Sequence, residues 1–174
     1  MAAIKRLSFH FEPKKGWMND PNGLVYYKGY YHTFFQHNPF ATEWGKMHWG
    51  HARSKDLTSF EELPIALYPD MDYESKEGCF SGSAIVKDDR LYLFYTSVAD
   101  KQTQSVAYSD DGVTFTKYEN NPIYGNENLG TCFDVYVWKD NGKYDEAIPH
   151  IKGLKIKEEA FESQYIKLNI NGTE

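Results

Sequence analysis

A carboxylate with unusual neighbours lies near the start of the chain, in the segment Trp17-Met18-Asn19-Asp20-Pro21-Asn22-Gly23. Pro fixes φ, and Asn and Gly accept the backbone angles of tight turns, so the segment predicts a turn before a strand at residues 24–27. Asp20 would then be held at the mouth of a strand, as a nucleophile or a metal ligand requires. Taken alone, these residues favour an ordinary turn, because Asp-Pro and Asn-Gly are common turn dipeptides. The rest of the chain has to decide.

Composition limits the fold and the partners. The chain has 174 residues, enough for one domain or part of a larger one, and 17% of them are aromatic, including 14 Tyr, 11 Phe and 4 Trp. Aromatic residues favour sheets over helices, and they also suit a carbohydrate or another ligand that stacks on rings. The net charge of -6 and the lack of a basic run argue against a nucleic-acid partner. Cys79 and Cys132 are too few and too far apart for a disulfide framework or a zinc site.

We expect no targeting signal in this sequence. Residues 1–6 lack the apolar centre of a signal peptide, and no segment approaches the length of a transmembrane helix. We therefore expect no membrane partner and take the cytoplasm as the default location.

An internal repeat organises the chain. Residues 23–36 read as a strand, a polar turn and a second strand, and residues 83–96 have the same form. A third copy begins at Asp134 and runs to Tyr144. A repeat of about 50 residues filled with short strands is typical of β-propeller blades. The sequence therefore predicts an all-β fold with about two blades and the start of a third.

The segments between the copies repeat as well. A Ser-x-Asp-x-x-x-Phe pattern occurs at residues 54–60 and again at residues 109–115, each time after a predicted strand. We assign residues 1–144 to the partial propeller and leave residues 145–174 as a tail of unassigned structure. Within that tail, residues 154–166 are rich in Lys and Glu and are the one segment predicted to be partly helical.

The propeller prediction turns scattered residues into a site. The first strand of every blade lies near the central axis, and all the first strands begin at the same end. Asp20, the Phe80-Ser81-Gly82 group and Asp134 each lie at or just before such a beginning. Two carboxylates that face one cavity suit the hydrolysis of sugars. The alternative is that Asp20 and Asp134 merely cap strands.

Several motifs in the right order resemble glycoside hydrolase family thirty-two, the family of invertases, sucrose-6-phosphate hydrolases, levanases and inulinases. The segment around Asp20 is similar to the sucrose-binding box of these enzymes. The resemblance continues through residues 35–39, 42–45, 47–52, 63–67 and 78–84 to the Asn121-Pro122 pair, and it covers roughly residues 9 to 144. A chance likeness would not preserve so many separate motifs in order.

The resemblance implies a five-bladed β-propeller, usually followed by a β-sandwich, that cleaves terminal β-fructofuranosides such as sucrose with retention of configuration. Asp20 matches the nucleophile of the family, and this chemistry needs no metal and no cofactor. The residues that match those holding or walling the fructosyl ring are Trp17, Asn19, Gln36, Trp44, Phe80 and Ser81. Each of these has an ordinary alternative, since Trp44 and Phe80 are also consistent with core aromatics and Gln36 with the end of a strand.

Two departures from the family pattern concern catalysis. The second family box is Arg-Asp-Pro, and here Asp134 is kept while Phe133 replaces Arg and Val135 replaces Pro. The third box, Glu-Cys, supplies the general acid/base, and no Glu-Cys pair occurs in the sequence. We therefore expect little or no turnover from the isolated chain. The alternative is a non-catalytic carbohydrate-binding or oligomerisation domain derived from the family.

Two blades and the start of a third cannot close a ring, so sheet edges and apolar faces would remain exposed. The apolar segments at residues 91–95 and 135–138 are expected to need a partner surface. We therefore expect a homo-oligomer, with the tail packed between or exchanged across subunits as one way to cover the edge.

Overall fold

The protein is almost entirely built of strands, as the sequence predicts. A computed structural model describes residues 10–125, 136–140 and 143–147. Strand accounts for 58% of the structure and helix for 3%, the latter being a single 3-10 turn at Asp72–Glu74. The strands are β1 Trp17–Tyr27, β2 Tyr30–Asn38, β3 His48–Ser54, β4 Phe60–Leu67, β5 Gly78–Lys87, β6 Arg90–Val98, β7 Gln102–Ser109, β8 Thr116–Lys117, β9 Tyr124–Gly125, β10 Tyr136–Asp140 and β11 Lys143–Ala147. The helix expected at residues 154–166 lies outside the described residues.

The strands form two antiparallel sheets and a hairpin that follow one another along the chain. The first sheet has the order β1-β2-β3-β4, and the second has the order β5-β6-β7-β8, with β9 also paired to β7. β10 and β11 form the hairpin. β5 contacts β1, and β10 contacts β5, so the first strands of successive units are neighbours. This is the expected arrangement of two blades and the beginning of a third, and β11 runs past the boundary predicted at residue 144.

The predicted Pro-Asn-Gly turn is wrong. Residues 17–27 form one continuous strand, β1, which pairs with β2 but shifts register between Met18 and Pro21 and again between Asn22 and Val25. These two β-bulges absorb the residues that the turn was expected to use, and Gly23 takes a positive φ of 47° at the second bulge. Pro21 is tolerated because β1 is an edge strand of its sheet.

The Ser-x-Asp repeat is confirmed at the level of individual hydrogen bonds. In both copies the Asp carboxylate, Asp56 or Asp111, accepts bonds of 2.7–2.8 Å from the backbone N–H groups two and three residues further on. The Ser hydroxyl, Ser54 or Ser109, accepts a further backbone N–H three residues on, at 2.8 Å in each blade. These backbone donors lower the pKa of Asp56 well below its usual range and that of Asp111 to about 2.

The core lies between the two blades. One cluster of buried side chains draws on both sheets: Tyr27, Phe34, Trp49, Ala66, Leu67, Cys79, Leu91, Leu93, Tyr95 and Ala107. A second cluster covers the other face of β6 and contains Ile85, Tyr92, Phe94 and Val106. Residues 91–95 are therefore buried on both faces of an interior strand. The expectation that this segment needs a partner surface is wrong, because consecutive side chains of a strand alternate between two clusters that the chain itself completes.

Two buried histidines face each other in the first blade. His32 Nδ1 and His51 Nε2 are 2.9 Å apart, and the ring of His51 stacks on Phe34 with a centroid distance of 4.4 Å. Burial lowers the pKa of both rings, and coupling to the nearby His32 ring and the charge of Arg53 lower the pKa of His51 further, to about 3. Both rings are therefore neutral in the folded protein at neutral pH.

We expect the fold to lose stability on mild acidification. Between pH 6.5 and about 3 the unfolded chain binds a proton at His51 that the folded chain does not bind, so lowering the pH favours unfolding. For His51 alone the free energy of unfolding should fall by about 2 kcal/mol from pH 7 to pH 5. Chemical denaturation at both pH values measures the change. His51→Leu should be less stable at pH 7 but less sensitive to pH, whereas replacing the exposed His10 by Gln should leave the sensitivity intact. Equal stability of the unmodified protein at the two pH values would contradict this assignment.

Within the described part of the chain, none of the structure forms a helix long and apolar enough to cross a membrane.

Candidate active site

A hydrogen bond between the two blades fixes the carboxylate singled out in the sequence. Ser81 Oγ donates to Asp20 Oδ2 at 3.0 Å, although the two residues are 61 positions apart. Each lies at the start of a first strand, Asp20 inside the first bulge of β1 and Ser81 inside the bulge between Cys79 and Gly82 of β5. Bulges re-aim side chains out of the regular alternation of a strand. The Asp20 side chain is exposed, and among residues 10–125 no hydrogen-bond donor contacts its Oδ1.

Gln36 ties the first blade to the segment that carries Ser81. Its side chain is only 3% exposed, and its Nε2 donates to the backbone oxygen of Cys79 at 2.9 Å. Gln36 lies within β2 opposite Trp49, so the alternative that it merely ends a strand is not what the structure shows. Its position instead sets the spacing between β2 and the start of β5.

Trp17 and Asn19 are joined at the beginning of β1. Trp17 Nε1 donates to Asn19 Oδ1 at 2.9 Å, and the backbone oxygen of Trp17 lies 2.7 Å from His37 Nδ1. Because the side-chain oxygen of Asn19 is occupied as an acceptor by the indole, its NH₂ group is oriented with two donors for other partners. The pair therefore presents amide donors next to Asp20.

Trp44 and Phe80 form an aromatic corner beside Ser81. Their ring centroids are 6.4 Å apart with an interplanar angle of 78°, an edge-to-face contact. Trp44 is 51% exposed and Phe80 is half-buried, so neither is the core aromatic of the alternative interpretation. Trp49 Nε1 donates to the backbone oxygen of Phe80 at 3.0 Å, which anchors the corner to the core.

The sequence does not single out Glu74, a buried acidic residue that lies next to Cys79 in the segment that carries Phe80 and Ser81. Glu74 is 0% exposed, and its carboxylate accepts bonds from the Tyr95 hydroxyl at 2.7 Å and from Lys117 Nζ at 2.5 Å. Burial raises the pKa of the neighbouring Cys79 thiol well above its usual range, and the negative charge of Glu74 raises it further. Glu74 thus neighbours Cys79, whose backbone oxygen accepts the hydrogen bond from Gln36. Nothing in the sequence distinguishes Glu74 from the other acidic residues of the stretch at residues 70–77.

Asn22, which belongs to the motif around Asp20, is a buried polar residue that the sequence does not mark as buried. Its amide is 3% exposed, and among the residues that the structure describes neither its nitrogen nor its oxygen has a hydrogen-bond partner. Asp134, predicted as the second carboxylate of the site, lies outside the described residues and stays a prediction. Across the ranges that the structure describes, no three His, Cys, Asp or Glu side chains come together in a way that would hold a metal ion.

The site thus combines a carboxylate with one oxygen held in place, amide groups at fixed positions and two aromatic faces. Amide and hydroxyl groups match the hydroxyls of a sugar, aromatic rings match its C–H faces, and a carboxylate can attack an anomeric carbon with cationic character. The arrangement is suited to binding one sugar ring against Asp20.

Comparison with known proteins identifies the family. Residues 10–162 match the model of the glycosyl hydrolases family 32 N-terminal domain, a range that extends past residue 144. The chain is 49% identical over 134 residues to a levanase of Bacillus subtilis, covering 70% of this chain and 19% of the levanase. It is 42% identical over 149 residues to a sucrose-6-phosphate hydrolase of Zymomonas mobilis, covering 78% of this chain and 28% of that protein.

Solved structures agree. A Bombyx mori GH32 beta-fructofuranosidase superimposes with a TM-score of 0.73 at 41% identity, covering 81% of this chain and 31% of that chain. A fructofuranosidase of Schwanniomyces occidentalis, solved as a complex with fructose, gives a TM-score of 0.68 at 42% identity and covers 79% of this chain and 30% of that one. These neighbours are five-bladed β-propeller enzymes, so the two sheets are propeller blades. The chain spans less than a third of the length of these relatives. It belongs to glycosyl hydrolase family 32.

Proposed function

We propose that this chain carries the fructosyl-binding part of a β-fructofuranosidase site, with Asp20 as the nucleophile of a retaining mechanism. The contact of Ser81 with Asp20 Oδ2 supports this most directly, because it joins two blades at an exposed carboxylate, and Ser81 directly follows Phe80 of the aromatic corner. One oxygen is thereby oriented by a donor, and Oδ1 stays available to attack. In the proposed step Oδ1 forms a bond to the anomeric carbon of the terminal fructosyl unit while the bond to the leaving group breaks.

The neighbouring side chains hold the ring in this proposal. The Asn19 amide, oriented by Trp17, donates to sugar hydroxyls, and Gln36 fixes the depth at which the ring is bound. Trp44 and Phe80 contact the apolar face of the ring and exclude water from one side of the reacting carbon. The solved relatives named above include a complex with fructose, which is consistent with a ligand of this class.

The departures from the family pattern limit the rate that we expect. Phe133 stands where a guanidinium is expected, and the sequence offers no Glu-Cys pair to protonate the leaving oxygen. General acid catalysis typically contributes about 10²–10⁴-fold, so we propose slow turnover of unactivated substrates by the chain as given. The same departures favour the second candidate function, a carbohydrate-binding or oligomerisation domain without catalysis.

We also propose that the protein assembles into a homo-oligomer, which light scattering tests.

Sucrose turnover separates these functions. Purified protein and Asp20→Ala are incubated with sucrose, and the release of fructose is followed while sucrose binding is titrated in parallel. We expect binding with very slow release of fructose, and a still slower release from Asp20→Ala. Rapid hydrolysis that Asp20→Ala abolishes would show that a group other than a Glu-Cys pair supplies the acid. Rapid hydrolysis that survives Asp20→Ala, or no binding of sucrose at all, would contradict the proposal.

A further inference from the structure

A buried histidine contacts the end of β1 that carries Trp17 and Asn19. His37 is only 4% exposed and lies in β2, where its backbone pairs with Met18 of β1. Its side chain reaches the residue before Met18, because His37 Nδ1 lies 2.7 Å from the backbone oxygen of Trp17. A carbonyl oxygen can only accept a hydrogen bond, so Nδ1 of His37 carries a proton and donates it.

The beginning of β1 is held by a short ladder. Its first two residues pair with Asn38 and His37 of β2, and the register then shifts between Met18 and Pro21. The ladder is therefore only two residue pairs long before the first bulge, and strand ends held in this way open easily. The chain enters β1 close to β2, since a Cβ at Gly16 would meet the backbone oxygen of Asn38 and lie 3.1 Å from His37 Cε1. The donor on the His37 ring thus adds a side-chain bond where the backbone pairing is short.

Neighbouring aromatic rings fix the orientation of His37. Its ring centroid is 5.5 Å from that of Phe35 with an interplanar angle of 70°, an edge-to-face contact. His48, which is 5% exposed, lies opposite His37 in β3. A side chain that is already ordered by its packing loses little conformational entropy when it donates a hydrogen bond. His37 is therefore a rigid donor.

The contact at Trp17 continues into the candidate site. Trp17 Nε1 donates to Asn19 Oδ1 at 2.9 Å, and Asn19 directly precedes Asp20. The indole can orient the Asn19 amide only while the Cα–Cβ bond of Trp17 keeps its direction. A hydrogen bond on the Trp17 carbonyl restricts the backbone rotation that would turn this bond. Two successive hydrogen bonds thus lead from the buried ring of His37 to the amide beside Asp20.

We propose that His37 is a positioning residue for the candidate site, which fixes Trp17 and through it the Asn19 amide that binds the fructosyl unit. This inference rests on the proposed function, because Asn19 donates to the hydroxyls of that unit. His37 itself touches no sugar and takes no part in the reaction. It keeps the Asn19 donors in place before the ligand arrives, so that binding does not have to order them.

The test compares two variants of similar shape that differ in one donor. His37→Asn keeps an N–H group close to the position of Nδ1, whereas His37→Leu has no donor there. Calorimetric titration with sucrose measures the dissociation constant of each variant. His37→Leu should bind about three- to tenfold more weakly than the unmodified protein, and His37→Asn should recover most of this loss. The matched control is His32→Leu, which removes another buried ring of β2, opposite Val25, and should leave sucrose binding unchanged.

A spectroscopic measurement follows the two hydrogen bonds without any ligand. Trp17→Phe identifies the Trp17 indole N–H among the signals of the 4 tryptophans in a proton–nitrogen NMR spectrum. We expect this signal to shift and to exchange faster with solvent in His37→Leu, and to stay in place in His37→Asn and His32→Leu. Combining His37→Leu with Trp17→Phe should weaken sucrose binding no more than Trp17→Phe alone, because both substitutions act on the same contact with Asn19.

The other outcomes overturn the inference in distinguishable ways. Equal sucrose binding by the unmodified protein and His37→Leu, or an unmoved Trp17 signal in that variant, rules out the positioning role and leaves the proposed function standing. A loss of binding that is equally large in His37→Asn or in His32→Leu assigns the effect to packing and also overturns the inference. No binding of sucrose by the unmodified protein overturns both. Thermal melts verify that the variants are folded, and His37→Ala takes the place of His37→Leu if the leucine variant is not.

Discussion

Replacing Glu74 by Ala is expected to lower the free energy of unfolding by about 2–3 kcal/mol, because the largely buried Lys117 then keeps only the exposed Asp70 as its counter-charge. Lys117 Nζ lies 2.5 Å from Glu74 Oε2, and the Lys117 side chain is only 14% exposed. The same substitution removes the acceptor of the Tyr95 hydroxyl, which is itself fully buried. The network also lies under Cys79, so the loss should reach Gln36 and the candidate site. Urea denaturation measures the stability, and sugar titration measures the effect on the site.

Two controls separate a buried ion pair from an ordinary one. Asp110→Ala breaks an exposed pair in which Arg90 contacts both carboxylate oxygens at 2.7 and 2.9 Å, and it should shift the denaturation midpoint barely or not at all. The double variant Glu74→Leu/Lys117→Met should recover much of the stability that Glu74→Ala loses, because it removes both charges together. If Glu74→Ala were as stable as Asp110→Ala, the buried pair would not stabilise the fold as argued.

Gly82→Ala is the second substitution with a large expected effect, and its cause is steric. A Cβ at Gly82 would lie 1.9 Å from the backbone oxygen of Phe94 and 2.9 Å from the Cα of Tyr95, both in the neighbouring strand β6. Backbone atoms cannot move aside without opening the pairing of β5 with β6. We expect the free energy of unfolding, measured by urea denaturation, to fall by about 3 kcal/mol, which is at the upper end of the destabilisation caused by overpacking. Because Gly82 follows Ser81, we also expect weaker sugar binding at Asp20.

Gly29→Ala is the matched control for this steric effect. Nothing lies within 4 Å of a Cβ at Gly29, but its φ of 83° is unfavourable for alanine. Gly29→Ala should therefore lower the free energy of unfolding by about 1 kcal/mol through backbone strain alone, and it should leave sugar binding unchanged. Comparable losses for the two variants, or sugar binding that Gly82→Ala leaves intact, would contradict the steric argument.

The blades could be predicted from sequence because their signals are local and repeated. The strand-turn-strand segments and the two Ser-x-Asp loops recur with one period, and the loops form the same backbone hydrogen bonds around Asp56 and Asp111. The bulges of β1 could not be predicted, because Pro21, Asn22 and Gly23 are equally typical of a turn and only the pairing with β2 decides. The burial of residues 91–95 also depends on strands distant in sequence.

The candidate site likewise has one part that sequence motifs predict and another part that depends on contacts between residues distant in sequence. Asp20, Ser81 and Gln36 were identified by motif, and the structure brings Asp20 to Ser81 and Gln36 to the segment before Ser81. Glu74 was missed because its partners, Tyr95 and Lys117, lie in the second blade and no motif links them. A buried charge is identified by its three-dimensional neighbours, and a single sequence does not record them. Asp134 remains a prediction.

Covalent trapping on β-fructofuranosyl fluoride tests the role of Asp20 most directly. Fluoride departs without protonation, so the first step needs the nucleophile and not a general acid. Because the sequence contains no Glu-Cys pair to activate water, we expect the resulting ester to persist long enough for mass spectrometry of the intact protein and its peptides. We predict one fructosyl group attached to Asp20 and none on Asp20→Asn. No adduct on the unmodified protein, or an adduct that maps to another residue or persists in Asp20→Asn, would contradict the assignment of Asp20 as the nucleophile.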